Sequence, residues 1–252
     1  MYTFFNAQKM LRGTQPAGEI PSDRTILKTT INIAWPSILE SFLVALVGFI
    51  DTIMVSGLGE AAIAAVGLTT QPKFIGLAFF ISLNVAVSAI VAHRKGEGDR
   101  EAANRVLMQA LMITLVMTVI VSIVCVAFAD PIVTLAGANE ETHADASAYF
   151  SIIMGGMVFN VVSLVINAAQ RGIGNTRIAM YTNIVSNGVN IIFNYLLIGG
   201  NLGFPKLGVK GAAIASVIGT VAAMIMSIAS IMHRDGYLCF RHLTKDEFRF
   251  DK

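Results

Sequence analysis

Long apolar runs separated by short polar segments dominate the pattern of hydrophobic and polar positions along this chain. Runs without Asp, Glu, Lys or Arg lie at residues 106–129, 146–170, 178–205 and 211–233. Each is long enough to cross about 30 Å of hydrocarbon as a helix. Residues 74–93 form another uncharged run, and residues 29–56 are apolar apart from two acids. The pattern predicts six transmembrane helices, at approximately 31–56, 61–92, 106–129, 147–170, 178–199 and 211–232.

The composition points to the same class of protein. The 252 residues are 55% hydrophobic and only 13% charged, whereas a soluble domain carries about 25% charged residues. These values exclude a soluble globule and intrinsic disorder. The apolar runs are continuous rather than alternating, which favours helices over the strands of a membrane barrel. We therefore predict an all-α integral membrane protein, a six-helix bundle at 31–233 between a cytoplasmic tail at 1–30 and a basic tail or linker at 234–252.

The distribution of Lys and Arg over the predicted loops indicates the orientation in the membrane. Six spans place both termini on one side. The two loops on that side carry Arg94, Lys95, Arg100, Arg105, Arg171 and Arg177, whereas the three loops on the other side carry Lys206 and Lys210. Because loops rich in Lys and Arg face the cytoplasm, we expect a multi-pass protein of the plasma membrane with both termini in the cytoplasm.

Motifs of soluble enzymes are absent from the sequence. Cys125 and Cys239 form neither a metal-binding spacing nor a disulfide framework, and the four histidines are scattered. The chain contains no Walker loop and no hydrolase nucleophile motif. We predict a protein that is not an enzyme, uses no cofactor and binds no nucleic acid.

Three ionisable residues interrupt the apolar helices: Glu40 and Asp51 in the first, and Lys73 in the second. Such a group costs about 2.5–3.5 kcal/mol at the bilayer centre, so it normally faces the bundle interior or a water-filled cavity. Glu40 and Asp51 are eleven residues apart, which places them on one helix face about 16 Å apart. This pair predicts a path for protons or cations. The alternative is a pair of hydrogen-bonded structural acids, and Lys73 either snorkels or pairs with a carboxylate.

Two predicted helices carry stripes of amide and hydroxyl side chains. Asn183, Asn187, Asn190 and Asn194 share one face of the fifth helix, and Asn160, Ser163, Asn167 and Gln170 share one face of the fourth. Amides at this depth need hydrogen-bond partners. They either bond to neighbouring helices or line a hydrated cavity, and both interpretations are open for each stripe.

Several segments resemble the multidrug and toxic compound extrusion (MATE) family. They are IAWPSILESFLVALVGFIDTIMVSGLG, AAIAAVGLTTQ, KGEGDREAAN, RGIGNTR, NIVSNGVNIIFNYLLI and LGVKGAAIASVIG, in family order between residues 31 and 233. The resemblance implies efflux of organic, often cationic, drugs coupled to influx of H+ or Na+. It also implies that Asp51 binds the proton or cation, with Na+ as the candidate metal ion.

The resemblance extends to the fifth helix, with one difference. Members with a second acid there show a pattern like NIILD, whereas this chain reads NIIFN, ending in Asn194. We therefore expect Asp51, Asn190 and Asn194 to form the proton or cation site. The cavity or substrate path is expected to be lined by Glu40, Asn183, Asn187, Asn167 and Gln170.

Family members contain two six-helix lobes with the substrate path between them, and this chain resembles the first. We expect half of an antiporter in membrane lipid, which binds small cationic drugs and pairs with a second six-helix lobe, either a separate chain or a second copy. One alternative is a truncated lobe or remnant that does not transport. Another is a lipid-precursor flippase of the wider superfamily, against which the scarcity of cavity cations argues, since Lys73 alone is available.

Overall fold

The computed structural model describes residues 22–232 and 236–239. Within these residues the regular structure is helical and contains no strand, which confirms the predicted all-α class. The α-helices are α1 (Asp23–Ser56), α2 (Glu60–Leu68), α3 (Thr70–Gly96), α4 (Arg100–Ala127), α5 (Ala129–Leu135), α6 (His143–Gly155), α7 (Met157–Gly172), α8 (Thr176–Gly199) and α9 (Val209–Met232). A short 3-10 helix, Asn201–Gly203, lies between α8 and α9.

The first helix begins earlier than predicted. It starts at Asp23 rather than at residue 31, because the Ser22 side chain caps it by accepting a hydrogen bond from the Thr25 backbone N–H at 3.3 Å. The helix therefore extends into the predicted tail at 1–30, and the residue at which the membrane span begins stays a prediction. Residues 1–21 and most of the predicted tail at 234–252 lie outside the described residues.

Two predicted helices are interrupted. The second divides into α2 and α3 at Thr69, whose hydroxyl donates to the Val66 carbonyl oxygen at 2.7 Å. The fourth divides into α6 and α7, which bend by 46° at Gly156. A Cβ atom at Gly156 would lie 2.6 Å from a methyl group of Val217, so the bend brings the chain unusually close to α9.

The number of membrane spans remains a prediction. Four helical stretches are long and apolar enough to span: Asp23–Ser56, Glu60–Gly96, Arg100–Ala127 and Val209–Met232; the bent α6–α7 pair would be a fifth. The remaining predicted span corresponds to α8, which has 24 residues. We attribute its lower apolar character to its four asparagines. The asparagines that make α8 a candidate functional helix thus also lower its hydrophobicity as a membrane span.

Helix α7 lies at the centre of the lobe, in contact with α3, α4 and α9, and α9 in turn packs against α8, α7 and α6. The α8–α9 contact is close because glycines lie in it. A Cβ atom at Gly211 would be 2.6 Å from the Leu197 carbonyl oxygen, and one at Gly219 would be 2.8 Å from that of Ser186. Helix α1 packs mainly on α8 and is otherwise largely exposed. The lobe therefore presents α1 and α8 together at one side, and these two helices carry the predicted site.

Candidate functional site

Asp51 meets the polar stripe of α8. The Asn194 side-chain N–H donates to Asp51 Oδ1 at 2.6 Å, and Asn194 is almost completely buried. Eleven residues earlier on each helix, the Asn183 side-chain N–H donates to Glu40 Oε1 at 2.7 Å. The equal spacing shows that α1 and α8 run parallel and that Glu40 and Asp51 share one helix face, as predicted.

Asn190 lies one turn before Asn194 and also contacts Asp51. Its amide Nδ2 donates to Asp51 Oδ1 at 2.8 Å, and its Oδ1 accepts from Ser216 Oγ at 3.1 Å. The Asp51 carboxylate therefore receives N–H donors from two consecutive turns of α8.

This arrangement suits an ionised carboxylate, which accepts hydrogen bonds and donates none. Asn190 also connects Asp51 on α1 to Ser216 on α9 through a single amide. A proton or a cation that binds Asp51 would therefore compete with the N–H donors of α8.

A cavity of about 380 Å³ opens beside Asp51. Residues of α1, α2, α3, α6, α8 and α9 line it, and its polar side chains include Asp51, Lys73, Tyr149, Asn194 and Ser216. The Tyr149 side chain is buried and lines the cavity together with Ser216. Asn194 Oδ1 is buried and has no hydrogen-bond partner within the described part of the chain. The site thus offers a carboxylate and an unpaired amide oxygen to a proton, a cation or the ammonium of Lys73.

Tyr149 and Ser216 are cavity residues that the sequence analysis did not single out. Tyr149 lies within an apolar run and Ser216 within a cluster of small residues. A single aromatic or a single small hydroxyl residue in a membrane helix has no spacing partner in the sequence. Nothing in the pattern along the chain could therefore have identified them.

Glu40 lies in a different environment from Asp51. Its Oε1 is 3.1 Å from Arg171 Nη1, and Asn183 donates to the same oxygen. The Glu40 side chain is 15% exposed, so this ion pair is largely shielded from solvent. Glu40 does not line the Asp51 cavity. The ion pair favours the interpretation of Glu40 as a hydrogen-bonded structural acid.

Asn187 lies between the two acid contacts on α8. Its Nδ2 is buried without a hydrogen-bond partner among the described residues. An unpaired buried amide donor costs about 1–3 kcal/mol, and a water molecule or a ligand oxygen would relieve that cost. Asn187 therefore keeps its place among the candidate path residues.

The stripe on α7 faces α9 rather than the Asp51 cavity. Ser227 Oγ donates to Asn167 Oδ1 at 3.2 Å, and Gln170 Nε2 donates to Ser230 Oγ at 3.2 Å. Asn167 and Gln170 are both buried, and neither lines the cavity beside Asp51. Hydrogen bonds between α7 and α9 pair their amides, and their place along the substrate path stays a prediction. Asn160, from the same stripe, lines a smaller cavity of about 60 Å³ that also contains Lys73.

Within the described ranges, no group of three or more His, Cys, Asp or Glu residues could hold a metal ion. Any Na+ bound here would therefore depend on Asp51 together with neutral oxygen atoms.

The profile of the MatE family matches residues 36–196. A probable multidrug resistance protein NorM of Thermotoga maritima is 28% identical over 204 residues, which cover 81% of this chain and 43% of that protein. An uncharacterized transporter, YisQ, of Bacillus subtilis is 25% identical over 233 residues, covering 91% of this chain and 51% of its own length. The chain spans about half the length of the curated relatives it matches.

Solved structures give the same result. A MOP superfamily transporter from Pyrococcus furiosus superposes with a TM-score of 0.79 at 29% identity, over 89% of this chain and 48% of that one. A MATE crystallised in complex with MaL6 has a TM-score of 0.79 at 30% identity and covers 89% of this chain and 49% of its own. The family profile, the relatives and the superposed structures all indicate the same family. The chain belongs to the MatE family of membrane transporters.

Proposed function

We propose that this chain is the N-terminal half of an antiporter that exports organic, often cationic, drugs in exchange for H+ or Na+, with Asp51 as the group that binds the coupling ion. The observation that carries the proposal is the partly buried Asp51 carboxylate, which is bound by Asn194 and lines a cavity of about 380 Å³. An ionisable residue within a membrane helix normally marks an ion or substrate path. The names of several relatives as probable multidrug resistance proteins support the drug class.

Exchange follows from competition for one carboxylate. An organic cation is held more strongly in the cavity when Asp51 is ionised than when Asp51 carries a proton or Na+. A proton on Asp51 would weaken the hydrogen bonds that Asn190 and Asn194 donate to the carboxylate. Binding at Asp51 would thereby alter the contact between α1 and α8.

The transport path requires a second lobe. The relatives are about twice as long as this chain, and related transporters place their substrate sites between two repeats. We propose that a second six-helix lobe covers the face formed by α1 and α8. That lobe is supplied by the rest of a longer chain, by a separate chain or by a second copy.

The proposed setting is the plasma membrane, with both termini in the cytoplasm and lipid around the helices. The loop charges support this orientation, because six of the eight basic loop residues lie on the side of the termini. Large apolar side chains on the exposed surface of α1, such as Trp35, Phe42 and Phe49, suit contact with lipid or with the second lobe.

An efflux assay tests the proposal through Asp51. The chain is expressed with a second lobe in a drug-hypersensitive bacterium, and ethidium efflux is followed by fluorescence. Asp51→Asn should reduce the efflux rate at least about tenfold, since an amide cannot gain or lose the proton, while membrane insertion stays normal. Glu60→Gln, at an exposed acid at the start of α2, is the matched control and should retain the efflux rate.

Two outcomes separate the alternatives. Normal efflux in Asp51→Asn would contradict the role of Asp51. No efflux from the unmodified protein, despite insertion and pairing with a second lobe, would favour a lobe that does not transport.

A further inference from the structure

Lys73 on α3 carries a charge that the proposed exchange does not use. It lines the Asp51 cavity and also the smaller cavity that contains Asn160 and Thr220, so it lies between the two. Among the described residues that line these cavities, Asp51 and Lys73 alone carry formal charges, and their charges cancel. A cation that entered would therefore meet one carboxylate already balanced by an ammonium group.

The oxygen atoms of the cavity suit an ammonium group as well as an alkali cation. Na+ would need several oxygen ligands, and Asp51 and the unpaired Asn194 Oδ1 are the obvious ones. A lysine ammonium is a compact charge with three donors on a flexible stem. Lys73 lines the same cavity and supplies a positive charge there without any ion from solution.

We infer that Lys73 is the resident cation of the Asp51 cavity and makes the site selective for a proton over Na+. The inference rests on the proposed function and deepens it by naming the coupling ion. A proton needs a single oxygen of Asp51 and leaves Lys73 where it is. Na+ needs several oxygens at once and would share the cavity with the ammonium, so electrostatic repulsion opposes it.

The same charge helps to release the substrate. When Asp51 is protonated, Lys73 remains as an uncompensated positive charge in the cavity and repels an organic cation. The titratable groups that face this region are Asp51 from α1 and Tyr149 from α6, whereas α2, α8 and α9 contribute apolar, amide and hydroxyl groups. Proton binding therefore changes the cavity from neutral to positive.

Binding of radioactive 22Na+ to the purified full chain in lipid nanodiscs tests the inference. Lys73→Met removes the charge and keeps most of the side-chain length, and Lys73→Gln is a second neutral variant in case the first does not fold. Lys73→Arg, which retains the charge, is the matched control. We expect the neutral variants to bind Na+ about tenfold or more tightly than the wild type, and Lys73→Arg to behave as the wild type does. Adding Asp51→Asn to Lys73→Met should abolish the gain.

The inference is overturned if the wild type binds Na+ as tightly as the neutral variants, or if a folded neutral variant gains no affinity. This assay measures ion binding and needs no transport. A failure of ethidium efflux would therefore count against the proposed function and leave the role of Lys73 standing.

Discussion

Asn194→Asp would place a second carboxylate directly against Asp51. The two side chains are joined by the 2.6 Å hydrogen bond from Asn194 Nδ2 to Asp51 Oδ1, and hydrogen bonds to charged groups contribute about 1.5–3 kcal/mol. The substitution removes that bond. It also brings together two negative charges, which at 2.6 Å repel by about 6 kcal/mol for an effective dielectric constant near 20. Such a pair is stable only with a proton or a cation between its members.

We therefore expect Asn194→Asp to depend on cations for its stability. In choline chloride at alkaline pH the variant should unfold at a lower temperature than the wild type, and NaCl should restore much of the difference. A cation at 100 times its dissociation constant stabilises the folded state by about 2.7 kcal/mol. The added charge also leaves the cavity with one more negative group than Lys73 can balance, so Na+ meets less repulsion than in the wild type.

The assay is thermal unfolding of purified protein in detergent, followed by intrinsic fluorescence, with NaCl and choline chloride compared at equal ionic strength. Asn187→Asp is the matched control, because it makes the same substitution on the same helix without a hydrogen bond to Asp51. Asn187→Asp should respond equally to the two salts. The reasoning would be refuted if Asn194→Asp also showed the same unfolding temperature in both.

Three further predictions concern the packing of α8 and its neighbours. Arg171→Met should destabilise the fold by about 1–3 kcal/mol, because it removes the ion pair of Glu40 at 3.1 Å, and adding Glu40→Gln should recover part of this loss in thermal unfolding; no recovery would argue against the pair. Gly211→Ala should cost about 1–3 kcal/mol by overpacking against the Leu197 carbonyl oxygen, whereas Gly188→Ala, where nothing lies within 4 Å, should not lower the unfolding temperature. In a chain whose Cys125 and Cys239 are replaced by alanine, cysteines at positions 187, 190 and 194 should react with a small polar thiol reagent and those at 188, 191 and 192 should not; equal reactivity all round would indicate that the stripe only packs helices.

Much of the fold is readable from the sequence because it follows from local pattern and solvent. A charge-free run of more than 20 residues has to form a helix in the bilayer, and each predicted segment is helical in the structure. The breaks were not predictable in the same way. The bend at Gly156 depends on how closely α9 approaches through Val217, and the sequence holds no local signal for that approach.

The candidate site was likewise predictable from the sequence only in part. Asp51 stood out because an acid in an apolar helix is costly, and its contact with Asn194 follows from the matching faces of two helices. Glu40 has the same sequence signature, yet Arg171, which lies 131 positions away, neutralises it. In the sequence, the amides of Asn167 and Gln170 are as good candidates for the site as that of Asn194. In the structure, Ser227 and Ser230 of α9 form hydrogen bonds with them.

The sequence by itself determined that this protein lies in a membrane and which segments form helices. It also identified Asp51 as an acid whose place in an apolar helix needs an explanation. These depend on the free energy of transferring each residue into hydrocarbon, which is a property of the residue and its near neighbours. Only the tertiary structure decided which polar groups are paired and which face the cavity. It also brought Lys73, Tyr149 and Ser216 into the cavity that Asp51 lines. The reason is that partners separated by many residues meet only after helix rotation and packing have been fixed, and the close glycine contacts between α8 and α9 fix them.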